Sequence, residues 1–344
     1  MATWTHIRTL TGLSPSWVCL DGSTIYFISD DSADNDIYQY TTTTDTLVKI
    51  AENTSITDWH EARGMTFFDG NLYALVDYKT PTQNLQVIQY DGTPDSWTSV
   101  LTMAREIEFY TGLFSNDDEM VVFGIEFDAD IEETWYTTNG TSWSAGSWGN
   151  TPNVSSGFGT FTWGYQTEWP LGFYVVMCQG TGTSCTSYDM LKWNTGTKTW
   201  DTLQTGISYE HWATSQDSAN QIFWVADQTS YTSNFTSITT PSATKEVFTL
   251  IGTQEAGVAL DNLDQDLYTF NGSTWDVLDT TSDDHNLTDS EQMTFWVMEN
   301  SDTFLCAISG DHSNEYVVMK RETILSASIY DLTHSGVGIP GSII

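Results

Sequence analysis

One phrase occurs four times along this chain and limits what it can fold into. It reads "DLYTFNGSTWDVL" at Asp266–Leu278, "QVIQYDGTPDSWTSV" at Gln86–Val100, "TWYTTNGTSWSAG" at Thr134–Gly146 and "MLKWNTGTKTWDTL" at Met190–Leu203. Each time an alternating run meets a polar turn containing Gly, and a Trp leads into a second run. Period-two alternation predicts strands. Asn-Gly or Asp-Gly tolerates the positive φ angles of a tight turn, so each phrase predicts a β-hairpin.

Each hairpin closes a larger unit of four strands. The second unit is the clearest: "RGMTFFDG" (Arg63–Gly70), "NLYALVDY" (Asn71–Tyr78), "LQVIQYDG" (Leu85–Gly92) and "SWTSVLTM" (Ser96–Met103). The fourth unit reads "FTWGYQTEW", "LGFYVVMCQ", "DMLKWNTG" and "TWDTL". Seven such units follow one another, with third strands ending near Tyr40, Tyr90, Thr137, Trp193, Tyr231, Phe270 and Met319. Their spacing falls in the range of roughly 40–50 residues that four-stranded propeller blades occupy. The seventh unit has no Trp strand after it, whereas the N-terminus carries an orphan one, "ATWTHIRTL". The expectation is an all-β, seven-bladed β-propeller of four-stranded blades over residues 1–321. Trp4–Leu10 supplies the outer strand of the last blade and closes the ring, which removes a free sheet edge. Residues 322–344 form a tail outside the ring or packed on it. Each hairpin Trp reads as a packing residue between blades rather than a ligand platform.

Composition agrees with a folded, all-β chain: 39% of residues are hydrophobic and 14% aromatic, and long Ala/Leu/Glu/Lys helical windows are absent. The 46 acidic and 10 basic residues give a net charge of −36. Such a surface repels nucleic acid and anionic membranes, because there is little Lys or Arg to displace counterions. No stretch has the length to span a bilayer, and the N-terminal sequence has no secretion signal, which predicts synthesis in the cytoplasm. The acid excess has two readings, a local cation site or adaptation to high salt. The acids are scattered over nearly every loop, which favours the second. Of the four cysteines, Cys178 and Cys185 flank a hairpin loop and could bridge across it, while Cys19 and Cys306 sit in apolar runs and read as buried thiols.

The aromatic–Asp/Asn-Gly–Trp phrase, with Arg63 and Arg105 just ahead of expected first strands, resembles the kelch type of β-propeller. The double glycine typical of that family after its second strand is absent from every unit, so the likeness concerns architecture. "TTNGTSW" and "NGSTW" are also similar to the Asp-box turn of sialidase-like propellers. Thr-rich propellers of this kind, lacking a secretion signal, are similar to accessory proteins of tailed-virus particles. With the acidic composition, that resemblance implies a virus of a halophilic host.

Candidate chemistry is sparse. There is no Gly-x-Ser-x-Gly elbow, phosphate-cradling loop or His-Glu-x-x-His. Arg63 and Arg105 are expected at equivalent points of adjacent blades, both facing the central channel. Two such arginines fall short of the cluster that sialidase chemistry needs. "DWHEARG" and "YEHW" put Asp58, His60, Glu61, Glu210 and His211 at the approach to first strands, which open onto one mouth of the channel. With Arg63 and Arg105 they form the candidate ligand site; the alternative is polar loops with satisfied hydrogen bonds. "DDSADND" and "DADIEE" gather Asp30, Asp31, Asp34, Asp36, Asp128 and Asp130 in loops between second and third strands. Ca²⁺ or another hard cation wants several oxygens together, although neither run has EF-hand spacing.

The functional expectation is a non-enzymatic virion protein that displays loops for host-surface attachment or decorates a capsid or tail. Its partners would be other virion proteins and a host surface protein or glycan, with no nucleic acid and no membrane insertion. Oligomers would follow from virion symmetry. The alternatives are a carbohydrate-binding or carbohydrate-active propeller using the channel mouth, and an intracellular kelch-like scaffold.

Overall fold

The computed structural model describes twenty-eight strands and, between them, residues 13, 23, 42–45, 52, 69–70, 91–96, 116, 118–119, 138–143, 146, 173 and 195–198. In chain order, β1 is Trp4–Thr11. The first sheet is β2 (Pro15–Asp21), β3 (Thr24–Asp31), β4 (Asp34–Thr41) and β5 (Thr46–Ala51). The second is β6 (Trp59–Phe68), β7 (Asn71–Tyr78), β8 (Asn84–Tyr90) and β9 (Trp97–Glu106). The third is β10 (Tyr110–Ser115), β11 (Met120–Glu126), β12 (Ile131–Thr137) and β13 (Ser144–Ala145). After β14 (Ser147–Trp148) come β15 (Tyr174–Thr181), β16 (Ser184–Asn194) and β17 (Thr199–Ile207), and the fourth sheet has the order β14-β17-β16-β15. The fifth is β18 (Ala213–Gln216), β19 (Ile222–Ala226), β20 (Thr229–Tyr231) and β21 (Ser237–Ile238). The sixth is β22 (Phe248–Ile251), β23 (Val258–Asp261), β24 (Asp266–Phe270) and β25 (Trp275–Thr280). The last comprises β26 (Phe295–Asn300), β27 (Thr303–Ser309) and β28 (Glu315–Glu322), with β1 on its outer edge.

Period-two geometry shows how the sheets stack. Strand β7 is apolar at consecutive positions, and Leu72, Tyr73, Ala74, Leu75 and Val76 are all buried. Alternate residues serve different cores. Leu72, Ala74 and Val76 join Cys19, Ile28, Ile37 and Ile50 of the first sheet. Tyr73 and Leu75 join Leu113, Met120 and Val122 of the third. Strand β11 repeats the device: Met120 and Val122 face the second sheet's cluster, while Val121 and Phe123 pack with Leu191, Trp193 and Trp200 of the fourth. A strand hydrophobic on both faces is thus one filling two inter-sheet layers. First strands lie side by side: β2 contacts β6, β6 contacts β10, β18 contacts β22, β22 contacts β26, and β26 contacts β2.

The N-terminal strand pairs antiparallel with β28, from Trp4 opposite Arg321 to Thr11 opposite Glu315. The fourth sheet departs from expectation. The segments expected as its second, third and fourth strands are β15, β16 and β17, and residues 161–169, expected as its first, lie outside the described residues. Its outer edge is extended by β14, which runs parallel to β17 with Trp148 opposite Trp200. The Gly146 N–H is held by the Thr134 carbonyl at 2.7 Å in the third sheet. One residue later the chain is on the edge of the fourth, where Trp148 stacks on Trp200 at 5.5 Å.

The turns also differ from expectation. Among the described residues a tight two-residue turn forms at Asp69-Gly70, with φ of 47° and 75°, joining Phe68 to its partner Asn71. In the Trp phrase at Thr134–Gly146 only Gly140 is left-handed. Asn139 instead accepts hydrogen bonds from the backbone of Thr141 (3.1 Å) and Ser142 (2.8 Å), an Asx turn within a longer loop. Asn194 does the same for Gly196 and Thr197, and Asp91 for Thr93. The reason is length: more than two residues separate each aromatic from its Trp, so a side chain must cap the loop.

Asp91 offers a pH test. Hydrogen bonds from Ser96 first, then from Thr93, hold its carboxyl below the usual carboxylate range. A depressed folded value means the stabilisation is complete above the unfolded value, about 3.9, and disappears as pH falls through the folded one. The expected result is that Asp91→Ala melts below wild type at pH 6 and that the gap closes below about pH 3.9, read from paired thermal melts.

Register does not bring Cys178 and Cys185 opposite one another. Cys178 faces Tyr188 and Cys185 faces Gly180, whereas a cross-strand disulfide wants Cα atoms within about 4.4–6.8 Å. Cys19 is the buried thiol expected, and burial, reinforced by Asp21, pushes its pKa up so that it stays protonated.

Candidate functional site

The candidate ligand residues divide when placed on the strands. His60, Glu61 and Arg63 all lie on β6, at the end of the second sheet away from the Asp69-Gly70 turn. The pairing of β6 with β7 breaks register twice, between Trp59 and Glu61 and between Ala62 and Gly64. The residues passed over are His60 and Arg63. Each is therefore the extra residue of a β-bulge, a feature that re-aims side chains and gathers at barrel rims and active sites. Glu61 stands opposite Asp77. Gly64, next to the second bulge, is buried, and a Cβ there would lie 3.4 Å from Leu113 Cβ on β10. The bulged segment is thus pressed against the neighbouring first strand.

Arg105 does not share this location. It belongs to β9, the fourth strand of the same sheet, on the opposite edge from β6. The expectation that Arg63 and Arg105 occupy equivalent points of adjacent blades is corrected. Strand β9 continues to Glu106, three residues past Met103, the expected end of the fourth strand, and the next first strand begins only at Tyr110. Asp58, Glu210 and His211 lie outside the described residues.

The expected cation ligands also divide. Asp30 and Asp31 close β3, and Asp34 and Asp36 open β4, so these acids belong to strands rather than to a loop. Asp36 is buried, and its Oδ2 lies 2.7 Å from Lys49 Nζ. That hydrogen bond raises the Lys49 pKa. An ammonium therefore sits against the oxygen that a cation would have used. Asp128 and Asp130 lie outside the described residues.

The hairpin Trp residues act between sheets where their side chains are described. Trp97 packs on the core shared by the first two sheets and approaches the Ile50 carbonyl through Nε1 at 3.5 Å. Trp143 packs on the core between the second and third sheets. Trp200 is fully buried and donates to Thr134 Oγ1 of the third sheet at 3.1 Å.

One charged cluster had no counterpart in the sequence reading. Glu119, in the β10–β11 turn, is 1% exposed. It accepts from Trp193 Nε1 at 2.9 Å and is ion-paired with Lys198. Lys198 also lies over the Tyr136 ring at 4.9 Å. The network joins the third sheet to the fourth. Its role is cohesion: both partners of the carboxylate are fixed and buried or half-buried.

No family model matches the sequence, and no curated protein matches it. Solved structures do resemble its fold. The β-propeller domain of the trilobed protease from Pyrococcus furiosus, described as revealing an open velcro topology, superposes with a TM-score of 0.51 at 9% identity over 90% of this chain and 97% of that one. The chain folds as a β-propeller. A prolyl endopeptidase, from a study of two such enzymes, aligns with a TM-score of 0.50 at 11% identity over 87% of this chain and 47% of that chain. This propeller thus spans about half the length of that enzyme. At such identities the likeness concerns the fold alone, and peptidase activity is a property of those proteins.

Proposed function

We propose that the sheets are the blades of a closed seven-bladed propeller, sealed by the N-terminal strand, and that it works as a non-enzymatic display platform on a virus particle. The observation that carries the reading is the way the three layers among the first four sheets are filled by β7 and β11 on both faces, with Trp97 and Trp200 reaching across two of the gaps. A scaffold this firmly joined holds its loops in fixed places, so binding through them costs little ordering entropy. The loops would contact a host surface protein or glycan, or other virion proteins in a capsid or tail. The placement on a virion and the halophilic host rest on the resemblance drawn from sequence. The test is competition: excess purified protein added to host cells slows adsorption of the particles, whereas unchanged adsorption together with no binding to purified particles sinks the reading.

The two bulges at His60 and Arg63 favour a second reading, a carbohydrate-binding site at the channel mouth. A glycan array probed with wild type and with Arg63→Ala decides it: a glycan bound by the first and lost in the second supports this site.

A further inference from the structure

Among the described residues, four that are not glycine have a left-handed backbone: Asp45 (φ 48°), Asp69 (47°), Asp95 (63°) and Lys198 (59°). Asp69 sits in the two-residue turn that calls for such an angle. The other three share one position. Each stands two residues before the first large apolar residue of a fourth strand, Leu47, Trp97 or Trp200. Glycine would be unstrained there, and any residue with a Cβ is not. Strain that persists points to a compensating role.

All three corners reach a neighbouring sheet. The Asp95 N–H donates to the Ile50 carbonyl at 2.9 Å, and its Oδ1 accepts from the Glu52 N–H at 3.1 Å. Both partners belong to the end of the first sheet. Lys198 pairs with Glu119 of the third sheet. Asp45 accepts from Arg8 Nη1 twice, at Oδ1 (2.8 Å) and at its carbonyl (3.1 Å), and Arg8 lies on β1 in the last sheet. The Tyr40 hydroxyl also donates to Asp45 Oδ1 at 3.1 Å. In the third sheet the left-handed residue is Gly140, and it too touches a neighbour: a Cβ there would be 2.0 Å from the Tyr73 hydroxyl of the second sheet. The direction is the same every time. The second sheet reaches the first, the third reaches the second, the fourth reaches the third, and the first reaches the last.

We propose that the left-handed corner before the fourth strand is a one-way latch to the preceding blade, made by a side chain at Asp95 and Lys198 and by close approach alone at Gly140, and that Arg8–Asp45 is the same latch at the seam of the ring. The seam assignment rests on the closed-ring reading. The corner accepts backbone strain in exchange for a side chain that glycine lacks, which accounts for Asp and Lys at positions where glycine fits the backbone best.

Glycine substitution separates the two contributions. Asp69→Gly is the control, with no latch to lose, and leaves the melting temperature unchanged or higher. Lys198→Gly and Asp95→Gly lower it despite relieving strain. Amide exchange then quickens in the preceding sheet, at Glu52 for Asp95→Gly and over Asn116–Val122 for Lys198→Gly, by about tenfold, the change expected for a lost hydrogen bond to a charged group. If all three variants behave alike, or if faster exchange stays within the substituted hairpin, the latch is overturned. At the seam, a Thr9→Cys/Val317→Cys pair, opposite one another in the β1–β28 register, reports closure independently. A cross-link with unchanged β1 exchange in Asp45→Gly removes the seam latch and keeps the ring. No cross-link in the folded monomer removes the ring reading and, with it, the seam latch.

Discussion

Trp200→Ala lowers the unfolding free energy by about 3–5 kcal/mol, the cost of emptying a large buried aromatic site. Trp200 is fully buried between the third and fourth sheets. It stacks on Trp148 and meets Phe123 edge-on with centroids 5.7 Å apart. Its indole N–H is the donor to Thr134 Oγ1, which is itself buried. Truncation therefore leaves a cavity and a hydroxyl without that donor, and strand β14, held by two residues along β17, loses its stacking partner. Urea unfolding followed by circular dichroism measures the change. A loss below about 1 kcal/mol, the range of an ordinary surface substitution, would mean that the Trp phrase does not wedge blades together.

Lys198→Met costs a similar amount, about 3–5 kcal/mol, for a different reason. Removing one partner of a buried ion pair leaves the other charge without compensation. Glu119 keeps only the Trp193 N–H, at 1% exposure. The double variant Lys198→Met/Glu119→Gln recovers most of the loss, because the neutral amide still accepts from Trp193 and no longer needs an ammonium. Paired urea titrations of the two single variants and the double give the coupling directly. Equal stability of Lys198→Met and wild type would show that the ion pair contributes nothing.

Much of the fold was legible because strands advertise themselves by alternation and turns by their chemistry. "NLYALVDY" and "EMVVFGIEF" announced β7 and β11, and the unpaired Trp strand at the N-terminus pointed to its place beside β28. The misreadings have specific causes. Ser147–Trp148 is too short to carry any period, so the parallel strand β14 could not be seen. "MAREIEFY" hides the boundary between β9 and β10, since nothing in it marks where one strand stops, and Arg105 was assigned to the wrong side of that boundary. Register is a property of pairs, so the bulges at His60 and Arg63 were invisible although the residues themselves drew notice. Glu119 looked like one more acid in "SNDDE". The signal that could have singled it out was the scarcity of Lys: a lysine in a Trp hairpin of a chain with only 10 basic residues needs a reason, and its reason is a buried carboxylate across the sheet gap.

The proposed role is tested most directly by mass spectrometry of virus particles purified from the source culture, run beside uninfected cells. The account predicts this chain in the particles at a fixed stoichiometric copy number and its absence from uninfected cells. Finding it in cells and not in particles would contradict the virion role and turn attention to the bulged start of β6 as a channel-mouth site.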